Sequence, residues 1–115
     1  MIILPYLKVQ TNQKVESKKE FIKKLSQKSS EALSKPENYI MVVLETEKQM
    51  TFAGTLEPCV FMEVKSIGLK ESMTESLSEF LCQFAEKELN VKQNRIYIEF
   101  SDAPGKMWGW DGRTF

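Results

Sequence analysis

The feature that most constrains the fold of this chain is a sequence pattern that occurs twice. Asn38 in the first copy aligns with Asn94 in the second, an offset of 94 − 38 = 56 positions. At this offset the other matched positions are Phe21 with Leu77, Leu25 with Leu81, and Leu33–Ile40 with Leu89–Ile96. Two β-α-β units related by a pseudo-twofold axis are the simplest interpretation. They predict an α+β fold in which a four-stranded mixed sheet carries two helices on one face.

The first unit, residues 5–57, begins with a predicted strand at Pro5–Asn12, where apolar and polar residues alternate. Ser17–Glu20 has the capping-box form, in which a serine hydroxyl and a glutamate each bond a free backbone amide. The helix that follows should end before Pro36, because proline has no amide hydrogen and restricts the residue before it. Tyr39–Glu45 is rich in β-forming residues and predicts the second strand.

The second unit, residues 58–115, repeats this plan and adds a C-terminal hairpin. Cys59–Ile67 predicts the third strand, and Ser72–Glu75 is a second capping box at the start of a helix. Asn90 suits the left-handed position that follows a helix. Arg95–Phe100 predicts the fourth strand, and Trp108–Arg113 contains an Asp-Gly turn that predicts a short hairpin. We expect residues 1–115 to form one domain.

The hydrophobic pattern of the predicted sheet indicates self-association. In the second strand Met41 and Val43 point to one face, while Val42 and Leu44 point to the other. Two helices cover only one face, and leaving the other apolar set in water would forgo roughly 1.5 to 3 kcal/mol per large side chain. A chain this short has no further segment to cover that face. We therefore infer an oligomer.

Composition narrows the classes of function. The formal net charge is zero, which argues against a nucleic-acid partner, because phosphates attract proteins with a basic excess. No run of about 18 apolar residues is present, so no membrane partner is expected. Histidine is absent, which removes the commonest general base and metal ligand, and we expect neither a metal nor a cofactor. The two cysteines and the lack of a signal-peptide pattern predict a cytoplasmic protein.

Short strings in a fixed order carry a family resemblance. They are Pro5, Thr11-Asn12, Lys35-Pro36, Met50–Gly54, Glu57–Cys59, Ser66–Gly68, Arg95–Ile98 and Trp110–Phe115. From Pro5 to Phe115 the chain resembles the family of macrophage migration inhibitory factor and D-dopachrome tautomerase, in the tautomerase superfamily. The resemblance implies a homotrimer whose three sheets surround a central channel, with an active site at each subunit interface.

The resemblance also implies a reaction and a set of site residues. In the family an N-terminal proline is the base of a cofactor-free keto–enol tautomerase that acts on small aromatic acids such as phenylpyruvate and dopachrome derivatives. That proline corresponds to Pro5, the cation facing the substrate carboxylate to Lys35, and a backbone amide donor to Ile67. Tyr97 would reach in from the neighbouring subunit. The other implied pocket residues are Tyr39, Glu99, Trp108, Trp110 and Phe115.

Physical chemistry supports such a site without histidine or metal. Moving a proton off carbon needs a base whose pKa lies near the working pH, and a secondary amine is intrinsically too basic. An apolar pocket and a nearby ammonium such as that of Lys35 disfavour the protonated amine and lower its pKa. The same lysine attracts an anionic substrate and stabilises the charge that develops as the enol forms.

Two positions depart from the family pattern. Pro5 follows Met1–Leu4, so its nitrogen is a tertiary amide in the sequence as written. We hypothesise that the natural start lies at Leu4, where a UUG codon would be read as methionine and would leave Pro5 terminal after processing. Glu99 stands where the best-known member has an amide, and a carboxylate there would narrow the range of acidic substrates.

Alternatives to a tautomerase stay open. One is a catalytically silent, cytokine-like trimer that acts in signalling or interaction, and another is a monomeric ferredoxin-like binding module. Animal relatives act outside cells without a signal peptide, so release from the cell is a further alternative to a cytoplasmic location.

Overall fold

The computed structural model describes residues 5–115, and their order of elements follows the predicted repeat. The first unit consists of strand β1 (Tyr6–Thr11), helix α1 (Lys18–Leu33) and strand β2 (Met41–Glu45). The second consists of β3 (Val60–Ile67), α2 (Glu71–Leu89) and β4 (Ile96–Ala103). The C-terminal hairpin is formed by β5 (Gly109–Trp110) and β6 (Arg113–Thr114).

The four long strands form one mixed sheet in the order β2-β1-β3-β4. Each unit contributes one parallel pair, β1 with β2 and β3 with β4, and the two units meet through the antiparallel pair β1–β3. Tyr6, the first residue of β1, is paired with Met41 of β2 on one side and with Lys65 of β3 on the other. The expected α+β class and mixed four-stranded sheet are confirmed.

The two α-helices pack on one face of the sheet and enclose the core. Alternate residues of β1 and β3 point into it, including Val9 and Met62, which are almost fully buried. Leu25 of α1 and Leu81 of α2, which the repeat aligns, are both buried in the same cluster. Neither α-helix within residues 5–115 combines the length and hydrophobicity that a membrane crossing requires.

The repeat is reproduced in the backbone where each helix ends. Ser34 after α1 and Asn90 after α2 both adopt the left-handed conformation, with φ of 53° and 55°. Two residues after each of them is an extended residue, Pro36 or Lys92, and a single 3₁₀ turn then leads into the next strand. The predicted left-handed cap at Asn90 is confirmed.

Both predicted capping boxes are wrong in detail. Ser17 occupies the N-cap of α1, but its side chain makes no capping hydrogen bond. Helix α2 begins at Glu71 with Lys70 as its N-cap, which places Ser72 inside the helix. Asp102 of β4 accepts hydrogen bonds from the amides of Gly68 and Leu69, and this tertiary contact fixes the turn before α2 so that the helix starts earlier.

Two strand limits differ from the sequence prediction by more than one residue. Tyr39, predicted as the first residue of β2, lies in the 3₁₀ turn Glu37–Tyr39, and the strand begins at Met41. Strand β4 continues past Phe100 to Ala103, because it stays paired with β3 as far as Ile67. Hydrogen bonding to a neighbouring strand, rather than local propensity, sets both limits.

The face of the sheet away from the helices mixes exposed hydrophobic side chains with charges. Met41 and Tyr97 are 62% and 64% exposed there. Glu45 accepts a hydrogen bond of 2.8 Å from Gln10 and lies 3.7 Å from the ammonium groups of Lys8 and Lys48. The bond from Gln10, aided by the two lysine charges, lowers the pKa of the Glu45 carboxyl below its usual value despite some desolvation.

Candidate active site at the head of strand β1

A cleft of about 440 Å³ opens where β1 begins, beside the start of β2. Its volume is within the range of small-molecule sites. We call it the Pro5 cleft. The residues that line it are Pro5, Tyr6, Asn38, Tyr39, Ile40, Met41, Lys65, Trp108, Gly109 and Trp110.

Pro5 forms the buried inner wall of this cleft. It is less than 2% exposed, and its carbonyl oxygen accepts a hydrogen bond of 3.1 Å from the amide of Met41. Behind Pro5 lies a second, water-sized cavity of about 10 Å³, which is bordered mainly by core side chains such as Leu7 and Val64. Pro5 is thus held between the core and the cleft. The expectation about Met1–Leu4 and the mature N-terminus concerns residues outside the described range.

The C-terminal hairpin supplies the aromatic wall. Asp111 and Gly112 form its two-residue turn with φ of 52° and 74°, the positive values that a type I′ turn requires. The Trp110 ring meets the Tyr39 ring edge-on, with centroids 6.1 Å apart, and stacks on Phe115 at 5.8 Å. Tyr39 and Trp110 therefore hold the hairpin against the 3₁₀ turn before β2.

The chain end is anchored beneath this wall. The amide of Phe115 lies within hydrogen-bonding distance of the carbonyl oxygens of Gly105 and Trp108, at 3.1 and 3.3 Å. A side chain at position 105 would place its Cβ 3.0 Å from the Phe115 carbonyl oxygen, so Phe115 would have to shift by a few tenths of an ångström to admit it. Phe115 itself supports Trp110 from outside and does not line the cleft.

Two residues expected in the site lie outside the lining of the cleft. Lys35 follows the end of α1, where its amide donates to the carbonyl of Ser30 and its carbonyl accepts from the Ser30 hydroxyl. Ile67 ends β3 and pairs with Ala103. The lining of the Pro5 cleft within one chain includes neither side chain.

Tyr97 and Glu99 lie on β4, two strands away from β1. Both are exposed on the open face of the sheet, and the Tyr97 ring meets the Phe52 ring at a centroid distance of 4.9 Å. Neither lines the Pro5 cleft of its own chain. Their placement leaves them available to a neighbouring copy, which is the role that the resemblance implied for Tyr97.

The sequence prediction missed six residues that line the cleft through their side chains or backbone: Tyr6, Asn38, Ile40, Met41, Lys65 and Gly109. Lys65 is the most informative, because its ammonium lies 3.6 Å from Glu63 and 5.8 Å from the centre of the Tyr6 ring. Alternation along β3 already placed Lys65 on the face opposite the buried Val64. Only the antiparallel register of β1 and β3 brings it next to Pro5.

A second cleft, of about 320 Å³, lies beside the 3₁₀ turn of the second unit, where Asn94 and Arg95 correspond to Asn38 and Tyr39. We call it the Arg95 cleft, and it is lined by Phe52, Ala53, Glu57, Pro58, Asn90, Lys92, Asn94 and Arg95. The Arg95 guanidinium donates to the carbonyl oxygens of Phe52, Glu57 and Pro58 at 2.8 to 3.1 Å. Within residues 5–115, no three histidine, cysteine or carboxylate side chains converge as a group able to hold a metal ion.

Comparison with known proteins gives a consistent result. The family model described as macrophage migration inhibitory factor matches residues 4–115. A macrophage migration inhibitory factor homolog from Brugia malayi is 34% identical over 97% of this chain and 99% of its own length. The rat macrophage migration inhibitory factor is 33% identical over 83% of this chain and 84% of its own length.

Solved structures agree with the sequence relatives. The crystal structure of a macrophage migration inhibitory factor homologue from Prochlorococcus marinus superposes with a TM-score of 0.90 at 41% identity, covering 96% of this chain and 98% of that one. The similarity thus extends over both β-α-β units and the C-terminal hairpin. The chain belongs to the macrophage migration inhibitory factor family, which has the tautomerase superfamily fold.

Proposed function

We propose that this protein is a keto–enol tautomerase that uses Pro5 as its base and acts on small aromatic keto or enol acids. The observation that carries the proposal is the position of Pro5 as the inner wall of a cleft lined by Tyr39, Trp108 and Trp110. Family membership supports the reaction class. The match of the family model begins at residue 4, directly before Pro5.

The reaction moves one proton and changes no oxidation state. The Pro5 nitrogen removes a proton from the carbon next to the keto group, and the electron pair of that C–H bond forms a carbon–carbon double bond. The carbonyl oxygen takes the displaced electron pair and receives a proton, which completes the enol. In apolar surroundings a secondary amine has a lowered pKa, and this keeps part of it uncharged and able to act as a base near neutral pH.

The proposal requires a free nitrogen at Pro5. As the tertiary amide that follows Leu4, this nitrogen has no available lone pair, so catalysis depends on removal of residues 1–4 or on a start at Leu4 followed by loss of that residue. The intact mass of the protein isolated from its natural source reports the mature N-terminus. A mass that retains residues before Pro5 contradicts this part of the proposal.

The site is completed in a homotrimer under this proposal. Met41 and Tyr97 on the open sheet face are more than half exposed in the single chain, and neighbouring copies would cover them. Tyr97 and Glu99 of one copy would then reach the Pro5 cleft of the next. Lys35, Ile67 and Phe115 would border the assembled pocket.

The experiment compares two forms of the protein with phenylpyruvate as substrate. One form begins at Pro5, and the control carries a single additional alanine before Pro5, which converts the nitrogen to an amide. We expect the control to be slower by about 10² to 10⁴-fold, the usual contribution of a general base. Equal rates in the two forms would exclude Pro5 as the base. Sedimentation of both forms tests the trimer.

A catalytically silent interaction protein is the second candidate, and Glu99 favours it, because a carboxylate there would repel an acidic substrate. If the form that begins at Pro5 is folded and trimeric yet shows no rate above buffer, this candidate replaces the tautomerase.

A further inference from the structure

We infer that Lys65 is the residue that selects anionic ligands at the Pro5 cleft, by holding the ligand carboxylate at the mouth of the cleft. The inference rests on the proposed function only in placing the ligand in this cleft. It adds a specificity residue that the family resemblance did not assign.

Charge is the first observation that supports the role. Among the described residues that line the Pro5 cleft, Lys65 is the only one with a charged side chain. The remaining lining is aromatic, aliphatic or neutral and polar. A small acid that enters the cleft with its ring against Tyr39 and Trp110 would meet this ammonium as its counter-ion, and the apolar walls strengthen the attraction.

Position is the second observation. Lys65 is directly opposite Tyr6 in the β1–β3 ladder, and Tyr6 follows Pro5 in the chain. The backbone of Lys65 is therefore paired one residue away from the proposed base, and both residues line the same cleft. The location of Lys65 on a paired strand, rather than on a loop, fixes the root of the side chain relative to Pro5.

The existing partners of Lys65 leave it able to bind an anion. Its side chain is 48% exposed, and its ion pair with Glu63 has a separation of 3.6 Å. An ion pair of this length with a half-exposed lysine is weak, so another carboxylate readily replaces Glu63 as its partner. The Tyr6 ring, 5.8 Å from the ammonium, favours the cation near the cleft without neutralising it.

The two other cations near the site have different surroundings. The Arg113 guanidinium lies over the outer Trp110 ring, 5.1 Å from its centre, and Arg113 does not line the cleft. Lys35 follows α1 and is likewise not part of the lining. Among the described residues, Lys65 is thus the cation inside the cleft of the single chain, whereas Lys35 would border only the assembled pocket of the proposed trimer.

The test measures binding, so that it does not depend on catalysis. Both tryptophans of the sequence, Trp108 and Trp110, line the cleft, so intrinsic fluorescence reports its occupancy. The probes are 3-phenylpropionate and its neutral amide, which have the same shape, titrated into the full chain. We expect Lys65→Met to weaken binding of the acid about fivefold and to leave binding of the amide unchanged.

Three further variants define the outcome. Lys65→Arg should keep the affinity for the acid, and Glu63→Gln should raise it about twofold, because the competing carboxylate is gone. The matched control is Lys8→Met, which removes another ion-paired lysine from the same sheet face outside the cleft and should change nothing. Equal losses for acid and amide in Lys65→Met, or no loss in either, would overturn the inference.

Failure of this inference and failure of the proposed function give different results. If the form that begins at Pro5 is inactive but Lys65→Met selectively weakens binding of the acid, the tautomerase proposal fails and the role of Lys65 stands. If that form is active and Lys65→Met has the same KM for phenylpyruvate as the parent, the role of Lys65 fails and the tautomerase stands.

Discussion

Each β-α-β unit has a cleft beside its 3₁₀ turn, and the two turns make different contacts there. Position 39 of the first unit corresponds to position 95 of the second, and each lies in the 3₁₀ turn before the strand at the sheet edge. In the first unit Tyr39 leaves a cleft walled by the C-terminal hairpin. In the second, the Arg95 guanidinium donates hydrogen bonds to three backbone carbonyls of the loop between β2 and β3.

This difference shows that one side chain at equivalent positions of the repeat changes which contacts the turn makes. Three of the five N–H groups of the Arg95 guanidinium bind backbone carbonyls, so this side chain ties the loop between β2 and β3 to the turn before β4. In the first unit the Tyr39 ring forms one wall of the Pro5 cleft and leaves its volume of about 440 Å³ open. The turn of the second unit thus supports the fold, and under the proposed function the cleft of the first unit receives the ligand.

The largest expected effect on stability comes from removing the Arg95 side chain in the second unit. Arg95→Ala removes three charge-assisted hydrogen bonds from the loop and should lower the free energy of unfolding by about 3 kcal/mol. The matched control, Tyr39→Ala at the corresponding position, loses mainly its ring contact with Trp110 and should cost about 1 kcal/mol. Denaturant unfolding at fixed protein concentration measures the stability of both variants. Equal losses of stability would contradict the view that Arg95 supports the fold more than Tyr39 does.

A smaller effect is expected where the helices of the two units differ in the core. Ser29 of α1 is 2% exposed with no hydrogen-bond partner for its hydroxyl among the described residues, whereas Ala85 occupies the corresponding place in α2. Ser29→Ala should stabilise the protein by about 1 kcal/mol, because it removes an unsatisfied buried hydroxyl and favours the helix.

The reciprocal change is the control for that prediction. Ala85→Ser introduces a hydroxyl into an equally buried position and should destabilise the protein by about 1 to 2 kcal/mol. Thermal unfolding of both variants at one protein concentration provides the measurement. A destabilised Ser29→Ala would show that the hydroxyl of Ser29 has a hydrogen-bond partner in solution.

The smallest effect is expected at the left-handed residues that end the helices. Serine is less suited than asparagine to this conformation, so Ser34→Gly should stabilise the protein by about 0.7 kcal/mol and Asn90→Gly by about 0.3 kcal/mol. Denaturation midpoints of the two variants test the order. A larger gain at Asn90 than at Ser34 would show that the caps differ for reasons beyond backbone conformation.

Local patterns predicted most of the fold. Alternation along β1 identified its buried residues, and the Asp-Gly pair identified the turn of the C-terminal hairpin. The repeat predicted two β-α-β units. Helix ends and strand starts depend mainly on residues close in sequence, and the offset aligns such residues in the two units. The start of α2 was missed, because it depends on Asp102, a residue 30 positions or more away in sequence that binds the turn before the helix.

The candidate site was predicted in part for the same reason. The sequence by itself determined Pro5 at the head of a strand, the aromatic residues Tyr39, Trp108 and Trp110, and the absence of histidine. Only the tertiary structure decided that these residues share one cleft and that Lys65 is its charged member. Which side chains meet across a sheet is set by the register between distant strands, and no local pattern carries that register.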